Sequence, residues 1–150
     1  MSDTKMEKAV DVFSRGFNCS QAVLSVYSEE MGISVENALK IASSFGSGMR
    51  QGEVCGAVSG ALMVLGLQFG HSVEGDKQTK GNMYGIAEEF HKRFIEKNNS
   101  IICKKLLAYD VTSEDDLMKI NQEGLFQKIC PQMIKDAVEI TEELLVEFRL

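Results

Sequence analysis

The sequence predicts an all-α protein, a single-domain bundle of about six to eight helices around a buried central helix at residues 54–69. Three observations lead there. Apolar residues recur at helical spacing along most of the chain, no strand-like alternation is sustained, and the 150 residues include one proline. With 44% hydrophobic and 25% charged residues, one domain over residues 1–150 can bury a core without disulfide staples.

A first helix is expected over residues 5–13, where Met6, Ala9, Val10 and Phe13 form one stripe. Gly16 stops it. Asn18 then has the character of an N-cap for a second helix carrying Ala22, Val23, Val26 and Tyr27, closed at Gly32. Ser34 caps a third helix that ends near Phe45, and Asn37 stands where a full capping box needs Glu or Gln. The glycine-rich segment 46–52 lacks the Lys-Ser/Thr pair of a phosphate loop, so its glycines read as a tight turn.

The central helix is apolar on nearly every side. Its small residues, Gly56 and Gly60 with Ala57 and Ala61, stand four apart and allow a neighbouring helix to come close. After a loop at 70–76 comes a longer fifth helix with Met83, Ala87, Phe90 and Phe94 inward, weakened early by Gly81 and Gly85. Ser100 is expected to cap a short helix with Ile102, Leu106 and Leu107. Ser113, followed by Asp115 and Asp116, starts an acidic segment reaching about Ile120. Pro131, a favourable first helical residue, is expected to open the last helix, which runs to the C-terminus with Ile134, Val138, Leu145 and Phe148 on one side.

Composition excludes several functions. The 22 acidic against 16 basic side chains give a net charge of −6 with no basic block, which disfavours a nucleic-acid partner. The polar start at residues 1–8 lacks the apolar core of a secretory signal, and the 16 apolar residues at 54–69 fall short of the roughly 20 that span a bilayer. A cytoplasmic protein without membrane insertion is expected. In that reducing compartment the four cysteines read as metal ligands or reactive thiols rather than permanent staples.

Cys19, Cys55, Cys103 and Cys130 include no CxxC pair, so the common zinc-finger and thioredoxin signatures are missing. Instead each falls at a predicted helix start: Cys19 after the Asn18 cap, Cys55 opening the central helix, Cys103 after Ser100, and Cys130 at the cap before Pro131. Helix N-termini present unpaired N–H groups and the positive end of the macrodipole, which stabilise a thiolate. Four such placements point to anionic sulfur at one centre where helix N-termini converge. Two chemistries stay open: nucleophilic thiols that attack a disulfide, or the same four cysteines as ligands of zinc or an iron–sulfur cluster. A third reading is a helical interaction module with inert buried thiols, since free cysteine behaves as a small hydrophobe. The small-residue central helix and the amphipathic last helix also leave a homodimer open.

The segment Cys55-Gly56-Ala57-Val58-Ser59-Gly60 is a complete CGAxxG motif, with one cysteine before it and two after. In this order, from Phe17-Asn18-Cys19-Ser20 through the motif to Cys103 and Cys130, the chain resembles the C-GCAxxG-C-C family of redox-active proteins. The resemblance implies that the four cysteines are the redox residues, with Cys55 as the central thiolate. It also implies a redox partner, linked to a transport system because the family's genes often lie near transporter genes. No defined reaction comes with the family, so neither a substrate nor a thiol-based oxidoreductase activity follows. Within the motif, Gly56 and Gly60 are the cofactor-side positions, bringing a second cysteine close, and Ser59 is placed to donate to sulfur. His71 reads as a solvated loop residue and His91 as an exposed-face residue. Glu53 and Arg50, near Cys55, read as loop charges.

Overall fold

A computed structural model describes residues 4–149. They form eight α-helices: α1 (Lys5–Ser14), α2 (Cys19–Ser28), α3 (Val35–Ile41), α4 (Gly56–Phe69), α5 (Lys77–Asn98), α6 (Cys103–Leu107), α7 (Glu114–Glu123) and α8 (Leu125–Glu147). Among the described residues there is no strand, only one isolated antiparallel bridge between Val54 and Ile102. The all-α expectation stands.

α4 is the hub, packed against α2, α5 and α8. Ala57, Val58, Ala61, Val64 and Leu65 are all fully buried, which accounts for a helix with no polar face. A Cβ on Gly60 would lie 2.8 Å from the Ser20 carbonyl oxygen, so this glycine sets how closely α2 approaches α4. Ser59 bonds within its own neighbourhood, its Oγ donating to the Gly56 carbonyl at 3.1 Å, and does not serve sulfur. At the far end, Arg93 on α5 holds Glu89 at 2.9 Å, Glu143 at 3.0 Å and Glu147 at 2.7 Å, tying α5 to α8.

Gly81 and Gly85 show the opposite case, because nothing lies within 4 Å of a Cβ added at either. Both sit inside α5, where glycine only loosens the helix. Gly81→Ala and Gly85→Ala are therefore each expected to stabilise the fold by roughly 0.5–1 kcal/mol, read from urea unfolding midpoints.

Caps follow local chemistry. Asn18 and Gln21 form a reciprocal capping box on α2, with the Gln21 amide N–H donating to Asn18 at 2.9 Å and the Asn18 N–H donating back to Gln21 at 2.9 Å. Thr4 and Glu7 do the same for α1, a signal not anticipated from the sequence. Ser34 caps α3 alone, and Ser113 caps α7.

Three expectations are corrected. The last helix opens at Leu125, after Gly124 at φ +65°, and not at Pro131. Pro131 therefore lies in its second turn, where it cannot donate to the Gln127 carbonyl, and Cys130 is an interior helical residue. α6 starts at Cys103 with Ile102 as its cap; Ser100 Oγ instead accepts the Ile102 N–H at 2.9 Å. The bridge sets this start, because the Cys103 N–H donates to the Glu53 carbonyl at 2.6 Å and the Cys55 N–H to the Ile101 carbonyl at 2.7 Å. His91 is half-buried rather than exposed, with its Nδ1 buried and unpartnered, and burial lowers its pKa. Residues 1–3, in the segment read for a targeting signal, and Leu150, in the run of the last helix to the C-terminus, lie outside the described residues. No helix among the described residues is long and apolar enough to cross a membrane.

Candidate functional site: a four-cysteine cavity

The four cysteines, 27 to 48 positions apart in sequence, line one small cavity of about 50 Å³. α2 delivers Cys19, the cap of α4 delivers Cys55, α6 delivers Cys103 and α8 delivers Cys130. The rest of the wall is mostly apolar: Phe13, Leu106, Leu107, Phe126, Ile129 and Met133. All four cysteines are free, and Cys19, Cys55 and Cys103 are at most 8% exposed.

Cys19 and Cys55 form the closest association. Gly56 makes it possible, since a Cβ there would lie 2.4 Å from Cys19 Sγ. The Cys55 thiol and the backbone N–H groups of Ser47, Cys19 and Ser20 favour negative charge on Cys19 Sγ. These donors outweigh burial and lower the Cys19 pKa from the ordinary 9.0 to about 7. The same hydrogen bond acts in reverse on Cys55, which gives its proton to the pair and with burial is pushed well above the ordinary value. Burial pushes Cys103 and Cys130 up to about 12, assisted by the charge on Cys19. The cavity therefore favours one thiolate among three thiols. Within the pair, the hydrogen bond lowers the pKa of Cys19 and raises that of Cys55.

The helix-start argument works where the amides are free. Cys19 is the first residue of α2, where its N–H and that of Ser20 favour a charged sulfur. Cys103 is likewise first in α6, but its N–H is taken by Glu53, and Cys130 lies beyond the first turn.

The donor from Ser47 comes from an unusual backbone. Residues 47–50 are all left-handed, with φ of 53° at Ser47, 62° at Gly48, 59° at Met49 and 62° at Arg50. Three are not glycine, and each costs roughly 1–2 kcal/mol in this conformation. Gly48 is required, since a Cβ there would meet the Glu53 nitrogen at 2.2 Å. Such strain gathers at functional sites. The sequence marked this segment as a tight turn, yet nothing in it identified Ser47 as a donor to sulfur.

Several candidates stand apart. Gly60 packs on α2 and does not line the cavity. Glu53 is exposed and pairs with Lys104 at 3.1 Å, while Arg50 is exposed on the left-handed turn. His71 is an exposed loop residue set edge-on to Tyr84. Among the described residues, no three Cys, His, Asp or Glu side chains converge closely enough to hold a metal ion.

The model of the putative redox-active protein family C_GCAxxG_C_C matches residues 17–144, from the residue before the α2 cap into the last turn of α8. The chain belongs to this family. All four cavity cysteines of this C_GCAxxG_C_C protein fall inside the match, as does the left-handed turn that carries Ser47. No curated protein and no solved structure matches the chain.

Proposed function

We propose that this redox-family protein cycles between dithiol and disulfide, with Cys19 and Cys55 as the exchanging pair. The observation that carries the reading is one cavity lined by four free thiols, in which Cys19 Sγ packs against Gly56, the residue next to Cys55. In oxidation the two sulfurs lose two electrons, Cys55 loses its proton, and one S–S bond forms. Reduction reverses each change. A nucleophilic thiolate with a second thiol in reach is what such exchange requires. Four cysteines permit three pairings, and this contact favours the one that joins Cys19 to Cys55. Cys103 and Cys130 border the same cavity, with burial holding both as thiols.

Protein purified without oxygen, oxidised by graded amounts of diamide or hydrogen peroxide and alkylated after unfolding, with and without re-reduction, tests the proposal. Peptide mapping is expected to find a reversible bond between Cys19 and Cys55, and Cys55→Ser is expected to abolish it while leaving helicity intact. Four thiols that stay reduced after mild oxidation would overturn the reading. A native mass carrying zinc, or iron with sulfide, would replace it with the ligand-cage alternative.

A further inference from the structure

Resting on the dithiol reading, we propose that the oxidant of Cys19 is a small hydroperoxide of hydrogen peroxide size, admitted to the cavity, and not the disulfide of another molecule. The argument is one of space. A thiolate attacks a disulfide along its S–S axis, so the attacking, central and departing sulfurs must lie nearly in line with their substituents around them. Cys19 and Cys55 are each 7% exposed, and the space beside them is about 50 Å³. At roughly 10–15 Å³ for each enclosed water, that volume holds a few water-sized groups and no disulfide with its flanking chain. Leu106, Leu107, Phe126 and Met133 wall it with carbon, so a small neutral molecule enters at lower cost than a charged one.

Hydrogen peroxide meets both conditions, and the arrangement of sulfurs completes its chemistry. The Cys19 thiolate attacks one peroxide oxygen, the O–O bond breaks, and the departing hydroxide takes a proton to become water. Cys19 is then a sulfenic acid. The Cys55 sulfur, already in contact with Cys19, attacks it, the S–O bond breaks, and the oxygen leaves with the Cys55 proton as a second water. One peroxide and one external proton are consumed, two waters are released, and the two sulfurs carry the oxidation as a disulfide. Cys55 is thus the resolving thiol.

The test compares hydrogen peroxide, cumene hydroperoxide and oxidised glutathione as oxidants of the intact reduced chain. Each rate is normalised to that of free cysteine at the same pH. The folded protein is expected to favour hydrogen peroxide over either bulky oxidant by at least about tenfold more than free cysteine does. Widening the cavity by Leu107→Ala, or separately by Met133→Ala, is expected to shrink that preference, with circular dichroism confirming the fold. Transient trapping of a sulfenic acid at Cys19 in the Cys55→Ser chain is also expected. The same order of preference as free cysteine would overturn the hydroperoxide assignment and leave the dithiol pair standing. If no oxidant, diamide included, joins Cys19 to Cys55, both fall together.

Discussion

Replacing Cys19 with serine is expected to remove the fast-reacting thiol at neutral pH. A thiol with a pKa of about 7 is half ionised at pH 7, whereas one at the ordinary 9.0 is ionised to about one part in a hundred. Even if Cys55 returns to the ordinary value once its acceptor is gone, thiol oxidation by hydrogen peroxide at pH 7 is expected to slow by about 50-fold. In the parent chain the oxidation rate is expected to rise with a midpoint near pH 7, and in Cys19→Ser that step disappears. Stability follows the same group. Because the folded pKa of Cys19 lies below the unfolded value, the native state binds fewer protons between pH 7 and 9, and stability increases across that window. It is lost as pH falls through 7. Above pH 9 the sign reverses, since Cys55, Cys103 and Cys130 stay protonated in the fold while the unfolded chain ionises. Urea midpoints at pH 6, 8.5 and 10 are expected to trace this rise and fall. Cys19→Ser is expected to keep only the fall.

Gly56→Ala carries the second large effect. Its new methyl would lie 2.4 Å from Cys19 Sγ and 3.1 Å from both the Gly46 Cα and the Phe45 carbonyl oxygen. Two of those three neighbours are backbone, so they yield little. Overpacking of this kind costs roughly 1–3 kcal/mol, and alanine's helix propensity offsets under 1 kcal/mol at the first residue of α4. A net loss of about 2 kcal/mol is expected, together with a weaker influence of Cys55 on Cys19 and a peroxide-oxidation midpoint above pH 7. The partner in the clash is identifiable. In the double variant Cys19→Ala with Gly56→Ala, the loss is expected to be smaller than the sum of the two single losses, because the sulfur is no longer in the way. Simple additivity would show that the backbone contacts dominate.

The helical class was legible because apolar residues at helical spacing report which face each helix buries. Asn18 was legible as a cap because the interaction spans three residues. The close approach at Gly60 was legible because two small residues four apart leave a groove whatever fills it. Sequence reasoning lost its grip where distant segments decide. α6 begins at Cys103 because residues 53–55 pair with residues 101–103, about a third of the chain away. α8 begins ahead of Pro131 because Gly124, left-handed at φ +65°, supplies the break between α7 and α8. The opposite pKa shifts of Cys19 and Cys55 were not legible, because they arise from the meeting of two distant thiols, with the Ser47 amide on its left-handed turn as a further contributor.

That wrong-handed turn has a thermodynamic counterpart. Free energy spent when a turn favours a charged sulfur is returned when the charged sulfur favours the turn, in equal measure and with the same sign. Protonating Cys19 removes the charge that the Ser47 amide favours and shifts the balance of residues 47–50 by that amount. Met49 and Arg50 at the middle of the turn are exposed. The condition of an atom that solvent barely touches is thereby coupled to a patch of outer surface, without any helix having to move.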